Sequence, residues 1–323
     1  MVVTGGAGFI GSHIVDELMV QGHQVTVLDN FSEGKESNIA RWLGHDRLTV
    51  VRGDIRDYDL VRRVVDMKSG VFHLAAMSRI QPSITDPLLA FSQNYMGTAN
   101  ILEASRQAGI KRVVYSASSS AYGRANDWAC DNYDHPVVGV GKGLFEDLGT
   151  ECLNPYSLAK KGGEELCDMY NKFFEVSTVA LRYFNVYGPR HQEEGSYATV
   201  IAIFRKQKRW GKKLTIVGNG EQRRDFTFVG DVVRANMMAM YNRDATGIIN
   251  VGAGKNHSVS ELAAMIGGEV EFIPPRRGEA NLTLSDCTKA KEILGWEANI
   301  QLDQGLSILD QYEKKFNPSG LIL

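Results

Sequence analysis

Residues Thr4-Gly5-Gly6-Ala7-Gly8-Phe9-Ile10-Gly11-Ser12 join a short β-branched run to a helical pattern, and this junction constrains the fold more than any other feature. Gly5, Gly8 and Gly11 stand in GxxGxxG spacing, one residue wider than the GxGxxG fingerprint of dinucleotide sites. In a strand-turn-helix setting one glycine makes the tight turn, one lets backbone approach a pyrophosphate, and one lets helix pack on strand. The helix N-terminus then offers free N–H groups and the positive end of its dipole to phosphates. The next strand ends at Asp29, near the roughly 20-residue distance at which a carboxylate meets ribose hydroxyls. That charge repels a 2′-phosphate, so NAD rather than NADP is the expected cofactor.

The rest of the first half alternates strands with helices. Strands are expected at Met1–Thr4, Gln24–Asp29, Leu48–Arg52, Val71–Leu74, Arg112–Ser118 and Ser177–Arg182. Helices are expected at Ile10–Gln21, Asp57–Met67, Leu88–Ala108 and Tyr156–Phe174. Such alternation specifies an α/β fold with a doubly wound parallel sheet. After residue 184 the rhythm breaks into a smaller mixed α/β lobe. A helix at Val200–Trp210 and a strand at Leu214–Val217 are expected there, and strands at Asp225–Val229 and Ile248–Val251 are expected to return to the main sheet. The division is therefore 1–184 for the dinucleotide and 185–323 for a substrate lobe. The stretch from Arg124 to Leu153 has no steady period and reads as a lid or binding loop. Its GVGKG segment lacks the Ser or Thr and the following helix of a phosphate loop.

Composition excludes several classes. Thirty-six basic against 38 acidic residues leave a net charge of −2, which disfavours general nucleic-acid binding. No apolar run reaches the roughly 20 residues of a membrane span. The start of the chain shows no basic region followed by an apolar stretch, so it reads as lacking a signal peptide. Cys130, Cys152, Cys167 and Cys287 form no CxxC pair. They read as free thiols of a reducing compartment, the cytoplasm, and neither they nor the seven histidines suggest a metal site. The basic run Arg205–Lys213 reads as a solvated helix face.

The chemistry-bearing pattern is Tyr156-Ser157-Leu158-Ala159-Lys160. At i and i+4 on a helix, phenol and ammonium share a face. A tyrosine of pKa about 10 is a poor base at neutral pH, and a nearby lysine cation is expected to lower it. Tyr156 then takes a hydroxyl proton while hydride leaves the same carbon. The serine run at 116–120 ends the fifth strand, where ligands bind in parallel sheets.

Many segments together resemble the extended short-chain dehydrogenase/reductase family, in its nucleotide-sugar epimerase and dehydratase branch. They are TGGAGFIGS at 4–12, DN at 29–30, GDI at 53–55, HLAA at 73–76, NYMGT at 94–98, the serine run, YSLAK at 156–160, RYFNVYGPR at 182–190, GNGEQRRDF at 218–226, NVGAG at 250–254, RRGE at 276–279 and LGW at 294–296. The resemblance spans Val2 to about Trp296. It implies that Gly5, Gly8, Phe9, Ile10, Gly11, Asp29 and Asn30 hold NAD, with Asp54 and Ile55 at the adenine. Leu74, Ala75, Ala76, Asn94, Ser116 and Phe184 are implied at the rest of the cofactor. Tyr156, Lys160 and Ser118 are implied as the catalytic set. Ser83, Ser119 and Val200 are implied near the sugar nucleotide, and Asn185, Arg224 and Arg276 as its diphosphate grip, for which guanidinium forks suit phosphate oxygens. Two departures stand out: the first strand follows Met1 directly and is expected to be short, and 124–153 is longer than usual.

Within that branch, dehydratases carry Asp and Glu directly after the hydroxyl residue, and decarboxylases usually keep the Glu. Here Ser119 and Ser120 stand in those places. The expected reaction is epimerisation of a UDP-hexose or UDP-N-acetylhexosamine at C4. Epimerisation at another carbon, a UDP-glucuronate epimerase or decarboxylase, and a 4,6-dehydratase remain alternatives. A non-catalytic dinucleotide-binding regulator is disfavoured by the intact Tyr156 and Lys160. The family also implies a homodimer paired through the helices at Leu88–Ala108 and Tyr156–Phe174, with Leu158, Leu166, Met169 and Phe173 as apolar surface shared between interface and core. Finally, Thr283, four residues past Glu279 of RRGE, is implied to border the sugar's C2 substituent, and its small side chain leaves room for an N-acetyl group.

Overall fold

The computed structural model describes residues 1–123, 143–148, 151–193, 195, 198–275 and 280–316. Its central sheet contains β1 (Val2–Thr4), β2 (Val25–Asp29), β3 (Leu48–Arg52), β4 (Val71–His73), β5 (Val113–Ser118), β6 (Thr178–Tyr183) and β11 (Gly247–Val251). The order is β11-β6-β5-β4-β1-β2-β3, parallel throughout. Strands β1, β2, β4 and β6 are buried along their whole length, as a sheet covered on both faces requires.

One face is covered by α2 (Tyr58–Val65), α5 (Gly97–Gln107) and α6 (Pro155–Phe174), which share a core with Val71, Val113 and Tyr115. The other carries α1 (Phe9–Val20) and α8 (Val229–Tyr241), packed on Val3, Val27 and Val179. The α6 start is strongly specified: Pro155 sits in its first turn, and Asn154 and Ser157 form a reciprocal capping box. By contrast, α1 begins at Gly8 with no side-chain cap and no acidic residue in its first turn. Its N–H groups are left to a ligand.

A third core holds the smaller lobe. There α7 (Val200–Arg209), β8 (Leu214–Val217), α9 (Val259–Ile266) and α10 (Leu302–Phe316) bury Ile201, Phe204, Ile216, Leu262 and Leu306. The run at 205–213 is solvated only in part: Lys208 and Trp210 to Lys213 are exposed, whereas Arg205 is buried and bonds Asp310 and Glu313 on α10 at 2.7 and 2.8 Å, and Arg209 bonds Glu193.

Two expectations about elements are corrected. The helix expected at Leu88–Ala108 is divided into α4 (Pro87–Phe91), a π turn (Ser92–Met96) and α5. The strand expected at Asp225–Val229 does not join the main sheet. Instead β9 (Arg223–Asp225) pairs with β12 (Asn256–Ser258), and β10 (Thr227–Phe228) pairs with β7 (Val186–Tyr187). The chain bends at Asn185, whose φ of 30° ends β6 and starts this separate ribbon. Among the described residues past Tyr183, only β11 returns to the large sheet. Part of 124–153 is anchored rather than loose: Leu144 bridges Ser285, and the Glu146 carboxylate accepts the Asn250 N–H at 2.7 Å. The remainder, with Cys130 and most of GVGKG, lies outside the described residues. Cys152, Cys167 and Cys287 are free thiols. Among the described residues, no helix is long and apolar enough to cross a membrane, and no group of three His, Cys, Asp or Glu could hold a metal.

Candidate active site

A cleft of about 960 Å³ opens at the carboxyl ends of β1, β2, β4, β5 and β6 and runs into the smaller lobe. Its floor begins with the glycine turn. Gly5 has φ of +67°, and a Cβ there would lie 2.8 Å from Ala75 N. A Cβ on Gly11 would lie 2.1 Å from Gly5 O. Only glycine permits both approaches. Gly8, Phe9 and Ile10 also line the cleft.

Asp29 is buried at the end of β2, where it accepts N–H bonds from Ala7 at 2.9 Å and Phe31 at 2.8 Å. Burial outweighs these bonds and raises its pKa above the ordinary value. Each oxygen keeps a lone pair for a ribose hydroxyl. Beyond it, Asn30 donates to Asp54 at 3.1 Å, and Arg56 grips Asp54 through both carboxylate oxygens. The Arg56 bond holds that carboxyl down to about 2. Ile55, Leu74, Ala75 and Ala76 complete this wall. An uncapped helix N-terminus, a cradle that a Cβ would fill and a buried carboxylate at the strand end fit NAD.

The catalytic expectation converges in the same cleft. Ser118 accepts from Ser120 N at 3.2 Å and Ser120 Oγ at 2.9 Å, and its hydroxyl acts on the Tyr156 phenol in the direction that favours ionisation. The ammonium of Lys160 donates to Ser116 O at 2.8 Å and lies 5.0 Å from the Tyr115 ring centre. Burial lowers Lys160 to about 8. The expected lowering of Tyr156 by Lys160 is not what this cleft shows. Burial raises the phenol above its ordinary value, opposed by the Ser118 bond and the charge of Arg79. Lys160 is spent on a carbonyl instead.

Ser116, Ser118, Ser119, Asn185, Val200, Arg224 and Thr283 all line the cleft. The Asn185 amide donates to Thr283 Oγ1 at 2.9 Å and Asp225 O at 3.2 Å, so both its hydrogens serve the protein. Arg224 directs one guanidinium nitrogen to the carbonyls of Arg223 and Asn281. Thr283 points inward, accepting from Asn185 and from Asp225 N at 3.1 Å.

Three expected residues are placed elsewhere. Phe184 is fully buried beside Tyr122 and Leu144, because the residue after β6 turns into the core. Asn94 is 1% exposed, its amide bonded to Met77 N at 2.7 Å and Met77 O at 2.9 Å. Ser83 is fully buried and clamps two elements: it accepts from Tyr156 N at 3.0 Å and donates to Ile80 O at 2.7 Å. Arg276 lies outside the described residues.

Sequence reading missed Arg79 and His191, both on the cleft wall. A cation just past the end of β4 was the available signal for Arg79. His191 directly follows the quoted RYFNVYGPR segment, and burial and three arginines lower it to about 4.

Comparison with known proteins agrees with this geometry. The chain is 37% identical to a protein of Methanocaldococcus jannaschii described as a putative UDP-glucose 4-epimerase, over 98% of this chain and 99% of that one. It superposes on the UDP-N-acetylglucosamine 4-epimerase from Methanobrevibacter ruminantium, in complex with UDP-N-acetylmuramic acid, with a TM-score of 0.87, 31% identity and 98% of each chain covered. It superposes on the Thermus thermophilus UDP-glucose 4-epimerase complex with NAD with a TM-score of 0.85, 31% identity and 96% and 97% of the chains covered. The model of the NAD dependent epimerase/dehydratase family matches residues 1–252, and this chain belongs to that family.

Proposed function

We propose that the protein epimerises C4 of a UDP-hexose or UDP-N-acetylhexosamine. The observation that carries this reading is the composition of the β5 end. Ser118 acts on the Tyr156 phenol, and Ser119 and Ser120, which follow it directly, stand where elimination needs a carboxylic acid and a carboxylate. A serine hydroxyl supplies neither. Epimerisation requires only a proton acceptor, its hydroxyl partner and a reversible hydride acceptor. The last is the chemistry NAD supplies when bound.

Tyr156 takes the proton of the sugar hydroxyl and later returns it, so no proton is lost to solvent. Ser118 orients both oxygens. Lys160 fixes the Ser116 backbone and keeps a positive charge beneath the site. Asp29 places NAD by its ribose and disfavours a 2′-phosphate. In this reading residues 185–323 form the sugar-nucleotide lobe, where Val200, Arg224 and Arg276 meet the nucleotide. The protein works as a homodimer. Incubation with UDP-, GDP-, CDP- and dTDP-sugars, followed by NMR, tests the whole reading: a C4 epimer of a UDP-sugar is expected. Loss of water or of carbon dioxide from the sugar would overturn it.

A further inference from the structure

Behind the cofactor wall lies a buried hydrogen-bond chain that the reaction itself does not use. His73 is 1% exposed at the end of β4. Its Nδ1 lies 2.8 Å from Thr4 Oγ1 and its Nε2 lies 3.0 Å from Thr98 Oγ1. The proton positions follow from the partners. Thr98 Oγ1 is 2.6 Å from Asn94 O, and a carbonyl can only accept, so the single Thr98 proton is spent there. Thr98 must therefore accept from His73, which puts the proton on Nε2. Bare Nδ1 then accepts from Thr4. The two Thr4 lone pairs receive the N–H groups of Leu74 and Ala75, each at 3.2 Å. At the other end Asn94 holds both backbone groups of Met77.

We propose that His73, locked as the neutral Nε2–H tautomer between Thr4 and Thr98, is a positioning residue that sets the backbone of Leu74–Met77 for NAD. Thr4 directly precedes Gly5, whose α-carbon packs on Ala75 N, so one chain of bonds registers the glycine turn against the opposite wall. The π turn at Ser92–Met96 brings Asn94 to Met77, and Thr98 follows one turn later. The facing groups agree with a neutral ring. Lys160 of α6 is the cation that acts on His73, and the Tyr115 ring of β5 lies 5.7 Å away. An imidazolium would meet a lysine cation and leave the Thr4 proton without an acceptor.

The inference rests on family membership and NAD binding, not on which sugar is turned over, so its test needs no substrate. Histidine nitrogen NMR of the purified holoenzyme should show His73 with protonated Nε2 and bare Nδ1 across neutral pH. Thr98→Val should release NAD about tenfold faster, the size of one lost buried hydrogen bond. The rise in Tm that NAD confers should shrink with it, and Thr98→Ser should restore both. A purely structural role would lower Tm and leave the NAD-induced rise intact, which would overturn the proposal. So would a protonated Nδ1 in the native protein, and that measurement decides the matter if Thr98→Val does not fold.

Discussion

In the proposed reaction Tyr156 is the residue on which the chemistry turns. Tyr156→Phe keeps the ring packing and the Ser83 clamp on its backbone N–H, and removes only the phenol oxygen. Turnover is expected to fall at least ~100-fold with NAD still bound, the low end for a general base. Near-normal turnover would remove Tyr156 from the role. Burial holds the Tyr156 phenol above its ordinary value of 10.0. A nicotinamide cation beside it favours the phenolate, so the Tyr156 pKa should drop when NAD binds. Ultraviolet titration of wild type minus Tyr156→Phe, with and without NAD, checks this; an unchanged value would mean that another group ionises. Thr283 is the second residue of consequence. It is 7% exposed and faces the cleft. Thr283→Tyr is expected to cut turnover of a UDP-N-acetylhexosamine far more than that of the plain UDP-hexose. Equal losses, measured as kcat/KM on both sugars, would show that it does not gate the C2 substituent.

At the scale of elements, helix faces decide how the chain associates. Leu88 is 81% exposed, Met96 53%, Leu158 51% and Phe173 75%, all on α4, the π turn or α6. Such a patch on adjoining helices is what a subunit interface covers. Leu166, expected to share in it, is 9% exposed and belongs to the core under α6. Light scattering at micromolar concentration should give twice the chain mass, and Leu158→Glu with Phe173→Glu should give the monomer. A monomeric wild type would contradict the pairing. The sequence periodicity located these helices within a residue or two, yet it drew one helix where the chain makes α4, a π turn and α5. Apolar spacing cannot register one inserted residue, whereas the two bonds between the Asn94 amide and the Met77 backbone reward it.

Across the whole molecule, Arg112 is one side chain that ties distant segments together. It is 3% exposed, and its guanidinium reaches Ala239 O at 3.0 Å, Ala245 O at 2.6 Å and Ser177 Oγ at 2.7 Å. These bonds tie the start of β5 to the end of α8 and the loop before β11. Burial lowers its pKa to about 10, so the charge persists at neutral pH. Arg112→Ala should cost about 3 kcal/mol in urea unfolding, because charged hydrogen bonds are lost and buried carbonyls are left without partners. Arg112→Lys should recover little, since an ammonium lacks the rigid fork. A loss near zero would mean that water replaces all three bonds.

What local chemistry can encode was legible before any fold was known. Glycine spacing, the carboxylate at the end of β2, the Tyr156–Lys160 spacing and the strand-helix rhythm each act within a few residues, and each specifies its own element. Pairing partners and side-chain bonds between distant segments came only with the tertiary structure. Phe226 and Phe228 alternate with Thr227 like strand residues, but nothing local says that β9 meets β12 and β10 meets β7 instead of the main sheet. Ser83, Asn94 and Phe184 stand in motif positions that suggest ligand contact, yet packing turns each inward, and Asn185 spends both amide hydrogens on Asp225 and Thr283. The charge felt by Tyr156 likewise depends on where Arg79 and Lys160 end up. Such outcomes are sums over contacts far apart in the chain, and no window of sequence contains them.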